Sequence, residues 1–322
     1  MKNILIAAFV FTVIARAASA VVTGMMPTVD PLGTRIQRAI DRAADICPGI
    51  ARDIDRIKIM AGVGIAGSAV GAVTGVVALH RGIKKWQADD NIRDLGITLE
   101  ALRAARDTGD RAAVLAMLNN LADIQAEIEA TEQAIGAARI ESQRLGNSRT
   151  NNSLISGGAQ AVSATATLGG ADSLGNTIIN IEVCSSAIND IQAIVNEMIM
   201  ANSYEIALIE RGQNIIRACR GMDAENIAVV RGRLRTAGIV SVIGTAAGIT
   251  GGVTSAIAVN REAAGASATD GEGNTRGLNL AANISAGAAA GAGIGGAILS
   301  GTALAGLIKN GNIANACAEA LR

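Results

Sequence analysis

Ile59 to Leu79 reads IMAGVGIAGSAVGAVTGVVAL, twenty-one residues without a charge, a proline or an aromatic ring. Gly67, Gly71 and Gly75 recur in it at four-residue spacing. On a helix, that spacing strips the side chains from one stripe and lets another backbone approach closely. Each interior glycine costs a helix about 0.8–1 kcal/mol relative to alanine, so close helix packing has to compensate. A bilayer compensates further, because it penalises any backbone group that leaves its hydrogen bond.

Three more uncharged runs follow: Thr150–Ala171, Thr236–Asn260 and Gly277–Ile308. The four-residue glycine spacing returns as Gly244, Gly248 and Gly252, and as Gly287, Gly291 and Gly295. The first, third and fourth runs are long enough to cross a bilayer. The second, with Asn151, Asn152 and Gln160, is marginal. Lys84, Lys85 and Trp86, just beyond the first run, suit a headgroup region. The competing arrangement is a soluble bundle with a Gly/Ala-packed core.

Six landmarks recur in one order and point to an internal duplication. Cys47-Pro48-Gly49-Ile50 matches Cys219-Arg220-Gly221-Met222, and Gly146-Asn147-Ser148-Arg149 matches Gly273-Asn274-Thr275-Arg276. Gly175-Asn176 before Cys184 matches Gly311-Asn312 before Cys317. The reading is a leader at 1–20, one unit at 21–200 and a second at 201–322. Each unit runs cysteine, apolar run, connector, apolar run, cysteine. If the paired runs form antiparallel hairpins, both cysteines of a unit fall at the same end. That geometry predicts Cys47–Cys184 and Cys219–Cys317 disulfides, one of three complete pairings.

The connectors differ. Arg261–Arg276 is short, polar and glycine-rich, whereas the first unit carries a charged helical insertion at 83–145. Within it Val114, Leu121, Ile128 and Ile135 recur every seven residues, joined by Met117, Ile124 and Ala138, as in a coiled-coil seam. Asp107-Thr108-Gly109-Asp110 predicts a turn between two helices. A second seam runs Ile181, Cys184, Ile188, Ile191, Val195, Met198, with a turn expected at Asn202–Tyr204. No period-two strand is found, so the fold is expected to be all-α.

The leader reads MKNILIAAFVFTVIARAASA: Lys2, an apolar stretch from Ile4 to Ile14, and an Ala18-Ser19-Ala20 cleavage site. It predicts export, and an oxidising compartment suits the disulfides. Arg231, Arg233 and Arg235 on the cysteine side would favour the cytoplasm by the positive-inside rule, against the leader.

The chemistry expected is slight. The chain has two Phe, one Trp and one Tyr in 322 residues, too few for a usual enzyme pocket. Its 28 basic and 28 acidic residues argue against a nucleic-acid surface. Gly62–Gly67 fits the dinucleotide glycine pattern, but so does Gly291–Gly296, and neither follows a strand. His80 is the one histidine, leaving no His cluster for zinc. Asp53 with Asp55, Asp89 with Asp90, and Glu127 with Glu129 read as solvated helix faces. No catalytic residue, cofactor, metal, nucleic acid or small-molecule substrate is expected.

The glycine-zipper pattern resembles that of many bacterial envelope proteins and of some pore-forming proteins, over the apolar runs alone. The expectation is a non-enzymatic, exported cell-envelope protein that is membrane-associated and uses glycine-zipper packing. Its partners would be membrane lipid and either itself or another protein. The alternative is a secreted channel- or pore-former whose Gly-rich hairpins, sheltered by amphipathic helices, insert into a target membrane.

Overall fold

Charged segments and apolar runs fuse into long helices, because few residues between them can stop one. The computed structural model describes residues 31–107, 118–265 and 274–322. The helices are α1 (Leu32–Asp107), α2 (Leu118–Met200), α3 (Ile206–Cys219), α4 (Ala224–Ala263) and α5 (Arg276–Leu321). No strand occurs among the described residues, so the fold is all-α. The leader, the turn expected after Asp107 and half of the Arg261–Arg276 connector lie outside the described residues. At 1.5 Å per residue, the 76 residues of α1 extend about 114 Å.

The breaks occur where the backbone can turn. Asn202 adopts φ 50° in the turn that joins α2 to α3, next to the fully exposed Tyr204. Gly221, at φ 96°, ends α3, and the Asp223 carboxylate accepts from the Glu225 N–H at 2.9 Å to start α4. At the matching place in α1, Pro48 lies inside a continuous helix.

Four helices form a ring in the order α1, α2, α4, α5. Adjacent members are antiparallel, as pairs of close approaches show. Gly67 meets Ser163 while Gly146 meets Lys85 (α1 and α2), and Gly157 meets Ile249 while Gly175 meets Arg231 (α2 and α4). Gly75 meets Ala290 while Gly311 meets Lys58 (α1 and α5), and Gly251 meets Ser285 while Gly306 meets Val230 (α4 and α5). Beyond one end of the ring, α1 and α2 continue as a two-helix arm, where Arg103 pairs with Glu132 at 2.7 Å. Buried and half-buried positions of the arm, among them Ile128, Thr131, Ile135, Ala138, Ser142 and Leu145, alternate at three- and four-residue steps. Val114, Met117, Leu121 and Ile124 of the expected insertion seam lie outside the described side chains.

At the other end α3 packs into α1 and α2, with Gly212 against Val195, Ile36 and Ile191. All six residues of the seam from Ile181 to Met198 are buried there. Two disulfides tie this end, Cys47–Cys184 and Cys219–Cys317, with Cα–Cα distances of 5.3 and 4.5 Å. They join α1 to α2 and α3 to α5.

Glycine sets the spacing in the middle of the ring. A Cβ on Gly248 would stand 2.6 Å from the Gly157 nitrogen, one on Gly67 2.7 Å from the Ala159 carbonyl, and one on Gly75 2.8 Å from the Ala290 nitrogen. A Cβ on Gly252 would meet Leu154 at 2.6 Å. Gly71 and Gly244 flank the Gln160 side chain so closely that a Cβ on either would overlap it. On α5 the inward stripe is Ala286, Ala289, Ala290, Gly293, Gly296 and Ser300. Gly287, Gly291 and Gly295 lie off that stripe: Gly291 is exposed and a Cβ there meets nothing, while Gly287 and Gly295 have room at 3.9 and 3.5 Å.

The same substitution therefore has opposite signs at two sites. Gly291→Ala should stabilise by about 0.8–1 kcal/mol through helix propensity. Gly248→Ala should destabilise by about 1–3 kcal/mol, because backbone has to move to admit the methyl. Thermal unfolding followed by circular dichroism should show Tm raised in the first and lowered in the second.

Candidate functional site

The residues that give the ring its character are those whose polarity is reversed. The four uncharged runs lie at one level. On one edge they are bounded by Lys58, Asp172, Arg235 and Lys309, and on the other by Arg81, Arg149, Arg261 and Arg276. The Ile59–Leu79 run is about 32 Å long, against about 30 Å for a bilayer's hydrocarbon core. All four helices of the ring are long and apolar enough to cross a membrane.

Within this belt the large apolar side chains point outward. Val73 is 64% exposed and Ile298 61%, and Val76, Val162, Ile243 and Ile249 are exposed with them. The interior holds Ser68, Ser153, Ser156, Gln160, Ser163, Thr167, Ser241 and Ser300, all buried. Below the belt the order is the usual one, with Ile40, Ile50, Ile54, Leu174, Ile191 and Ile215 in a closed apolar core. One bundle thus carries a core suited to water and a belt suited to lipid.

The interior hydroxyls link the helices. Ser163 donates to the Gly64 carbonyl at 2.8 Å and so accepts from Ser68 at 2.7 Å and Ser241 at 3.1 Å. Ser156 donates to the Gly71 carbonyl at 2.7 Å, and Gln160 Nε2 to the Ala289 carbonyl at 2.6 Å. Ser153 Oγ, Gln160 Oε1 and Ser300 Oγ have no protein partner among the described residues.

A buried ionic cluster closes the belt toward the arm, assembled from all four ring helices. Lys85 Nζ lies 2.7 Å from Asp89 and 2.8 Å from Glu262. Ser142 donates to Asp89 at 2.5 Å, and Thr275 and Asn279 donate to Glu262. Arg149 donates from Nε to Ser255 at 2.8 Å, from Nη2 to Asn279 Oδ1 at 2.6 Å, and from Nη1 to Asn283 Oδ1 at 3.2 Å. Glycines make the room: a Cβ on Gly82 would overlap Asn283 and stand 3.1 Å from Arg149 Cδ, and one on Gly146 would stand 3.2 Å from Lys85 Cε. At the rim, the Arg276 guanidinium lies 6.0 Å from the centre of the Trp86 ring.

One sequence expectation is corrected here. Asp89 is not on a solvated face; it is buried and paired with Lys85, whose side chain is buried with it. The signal was present in the spacing, because three- and four-residue steps from Gly71 and Gly75 reach Ala78, Gly82, Lys85 and Asp89. In the sequence Arg149 stands out only as a repeat landmark, although it continues the inward stripe of Ser153, Ser156 and Gln160. His80 and Asp55 are exposed and Asp53 is half-buried, with Asp55 paired to Lys58 at 2.8 Å.

Burial pushes the Asp89 carboxyl up, outweighing Lys85 and Ser142. Burial also pushes Glu262 up, but Lys85, Thr275 and Asn279 together hold it below its ordinary 4.5. The cluster carries two cations and two carboxylates, which is an arrangement for locking helices. No family model, no characterised protein and no solved structure matches this chain.

Removing Lys85 leaves two buried carboxylates facing each other. Lys85→Met should cost about 3–5 kcal/mol, and adding Asp89→Asn and Glu262→Gln should recover most of it. Glu262 binds its proton less readily folded than unfolded, so its contribution is full above pH 4.5 and lost as pH falls through the lower folded value. Asp89 runs oppositely, its penalty at neutral pH vanishing as it protonates. Glu262→Gln should therefore flatten the loss of stability below pH 4.5, read from denaturant midpoints across pH.

Proposed function

We propose that this chain is a non-enzymatic, membrane-embedded helical scaffold of a bacterial-type cell envelope. The four long apolar helices fit a membrane-associated protein, and the two disulfides fit an oxidising, exported compartment. One observation carries the proposal: a charge-free belt, one bilayer thick, with Val and Ile outward and Ser, Thr and Gln inward. Water would penalise so wide an apolar surface, whereas lipid accepts it. Lipid is therefore the first partner.

The glycine stripes serve as the packing element in this reading, and the ionic cluster and disulfides fix the two ends of the bundle. The duplication supports it, since a repeated hairpin gives four spans from one ancestral pair. The arm, charged and clear of the belt, is the element placed to hold a protein partner or a second copy. The cysteine end faces the oxidising side and the arm the opposite one. Basic residues flank both edges of the belt, so the positive-inside rule does not choose between the two orientations.

A second reading, a channel- or pore-former, is favoured by the interior hydroxyls and the three unpaired polar atoms on the axis. Against it stands the packing: Ser68 lies 3.4 Å from Ser241 across the ring and Gln160 reaches the Ala289 carbonyl at 2.6 Å, so side chains bridge the axis at these levels. The amphipathic segments continue the apolar runs end to end and do not cover them.

Alkaline carbonate washing of native membranes should leave the chain in the pellet. Release into the supernatant would contradict the scaffold proposal. Reconstituted liposomes should retain their dye, and leakage would move the assignment to the pore.

A further inference from the structure

Both disulfides lie in one layer. The Sγ atoms of Cys47, Cys184 and Cys317 are all within 4.8 Å of one another, and Cys317 is itself bonded to Cys219. Two staples could act from separate places, but here the inner sulfur of one lies within 4.8 Å of both sulfurs of the other. Cys47, Cys184 and Cys317 are at most 1% exposed, whereas Cys219 is 5% exposed. Cys219 also ends α3, beside the backbone break at Gly221.

An open cavity of about 470 Å³ lies against this layer, and Cys219 is the only cysteine that lines it. Ser185, Asn189, Gln192, Arg217 and Arg220 share the lining, which has two arginines and no acidic residue; Arg217 also donates to Asn214 Oδ1 at 2.6 Å. Positive charge favours a thiolate over a thiol, and the thiolate is the attacking species in disulfide exchange. The cavity lies on the solvated side of the belt, so it is open whether or not the belt is in lipid.

We propose that Cys219–Cys317 is a redox-active disulfide that takes reducing equivalents from an exported dithiol in this cavity and relays them to Cys47–Cys184. A donor thiolate attacks Cys219 Sγ, forming a mixed disulfide as the Cys219–Cys317 bond breaks and its electron pair leaves on Cys317. The Cys317 thiolate attacks Cys47 or Cys184, forms a bond there and expels the other sulfur as a thiolate. The donor's second thiol then attacks its own sulfur in the mixed disulfide and frees Cys219. The donor ends as a disulfide, oxidised by two electrons. This chain keeps one disulfide across the two units and gains two thiols, which take the two donor protons. Cys219 and Cys317 are the exchange pair, and Arg217 and Arg220 position the incoming thiolate.

The test treats the full-length, detergent-solubilised chain with one equivalent of dithiothreitol, quenches it with acid, alkylates the thiols and maps the cross-linked peptides. Label should appear in equal amounts on Cys219 and on whichever of Cys47 and Cys184 the relay expels, and a Cys317–Cys47 or Cys317–Cys184 peptide should form while helicity is unchanged. Arg217→Glu with Arg220→Glu should slow that first opening about tenfold. In Cys219→Ser, the unpaired Cys317 should exchange, so that part of the label appears on Cys47 or Cys184. Label confined to Cys219 and Cys317 in the parent chain, with Cys47–Cys184 untouched, would overturn the relay. First opening of Cys47–Cys184 would overturn the role of the cavity.

Discussion

Backbone contact at glycine is the constraint on which this structure depends. Where Gly248 meets Gly157 and Gly293 meets Ala72, neighbouring helices approach with no side chain between them. That closeness brings serine hydroxyls and carbonyls of different helices within hydrogen-bonding distance, as between Ser156 and Gly71. It also leaves no space inside for isoleucine or valine, so those side chains are forced outward. The reversed polarity of the belt follows from the packing distance.

The rest of the molecule answers this reversal. Below the belt, larger apolar side chains such as Ile50 and Leu174 fill an ordinary core, and charged residues return to the surface. The disulfides lie in that core. At the opposite edge the helices have to pass from a tightly packed interior to a solvated arm, and the transition is made by ions. Lys85 bridges Asp89 on its own helix and Glu262 on another, while Arg149 reaches α4 and α5. Buried pairs of this kind add little net stability over an apolar core, but a misaligned one is costly. The cluster therefore fixes the register of four helices that slippery Gly/Ala stripes would otherwise leave poorly defined.

Much of this was legible in the residues. The runs, the absence of strands, the seam from Ile181 to Met198 and both cysteine pairings follow from periodicity and symmetry. Two things did not. The stripe at Gly287, Gly291 and Gly295 has the right spacing, yet Gly293 and Gly296 face the bundle. A run so rich in Gly and Ala offers several equivalent stripes, and only the partner helices select one. The ionic cluster was hidden because charges on a long helix are usually solvated, and burial of Lys85 depends on Glu262, 177 residues away. Nothing local to either residue announces the pairing.

The central claim is that the outward Val and Ile face lipid. Trp86 is the only tryptophan, so in a Trp86→Phe background a single Val73→Trp reporter sits alone in the middle of the belt. Its fluorescence should be quenched most strongly, in reconstituted membranes, by lipids brominated deep in the acyl chain. An Ile97→Trp reporter on the arm should be unaffected. Quenching of the Val73→Trp reporter by aqueous acrylamide, with none by deep bromines, would place the belt in water and contradict the account.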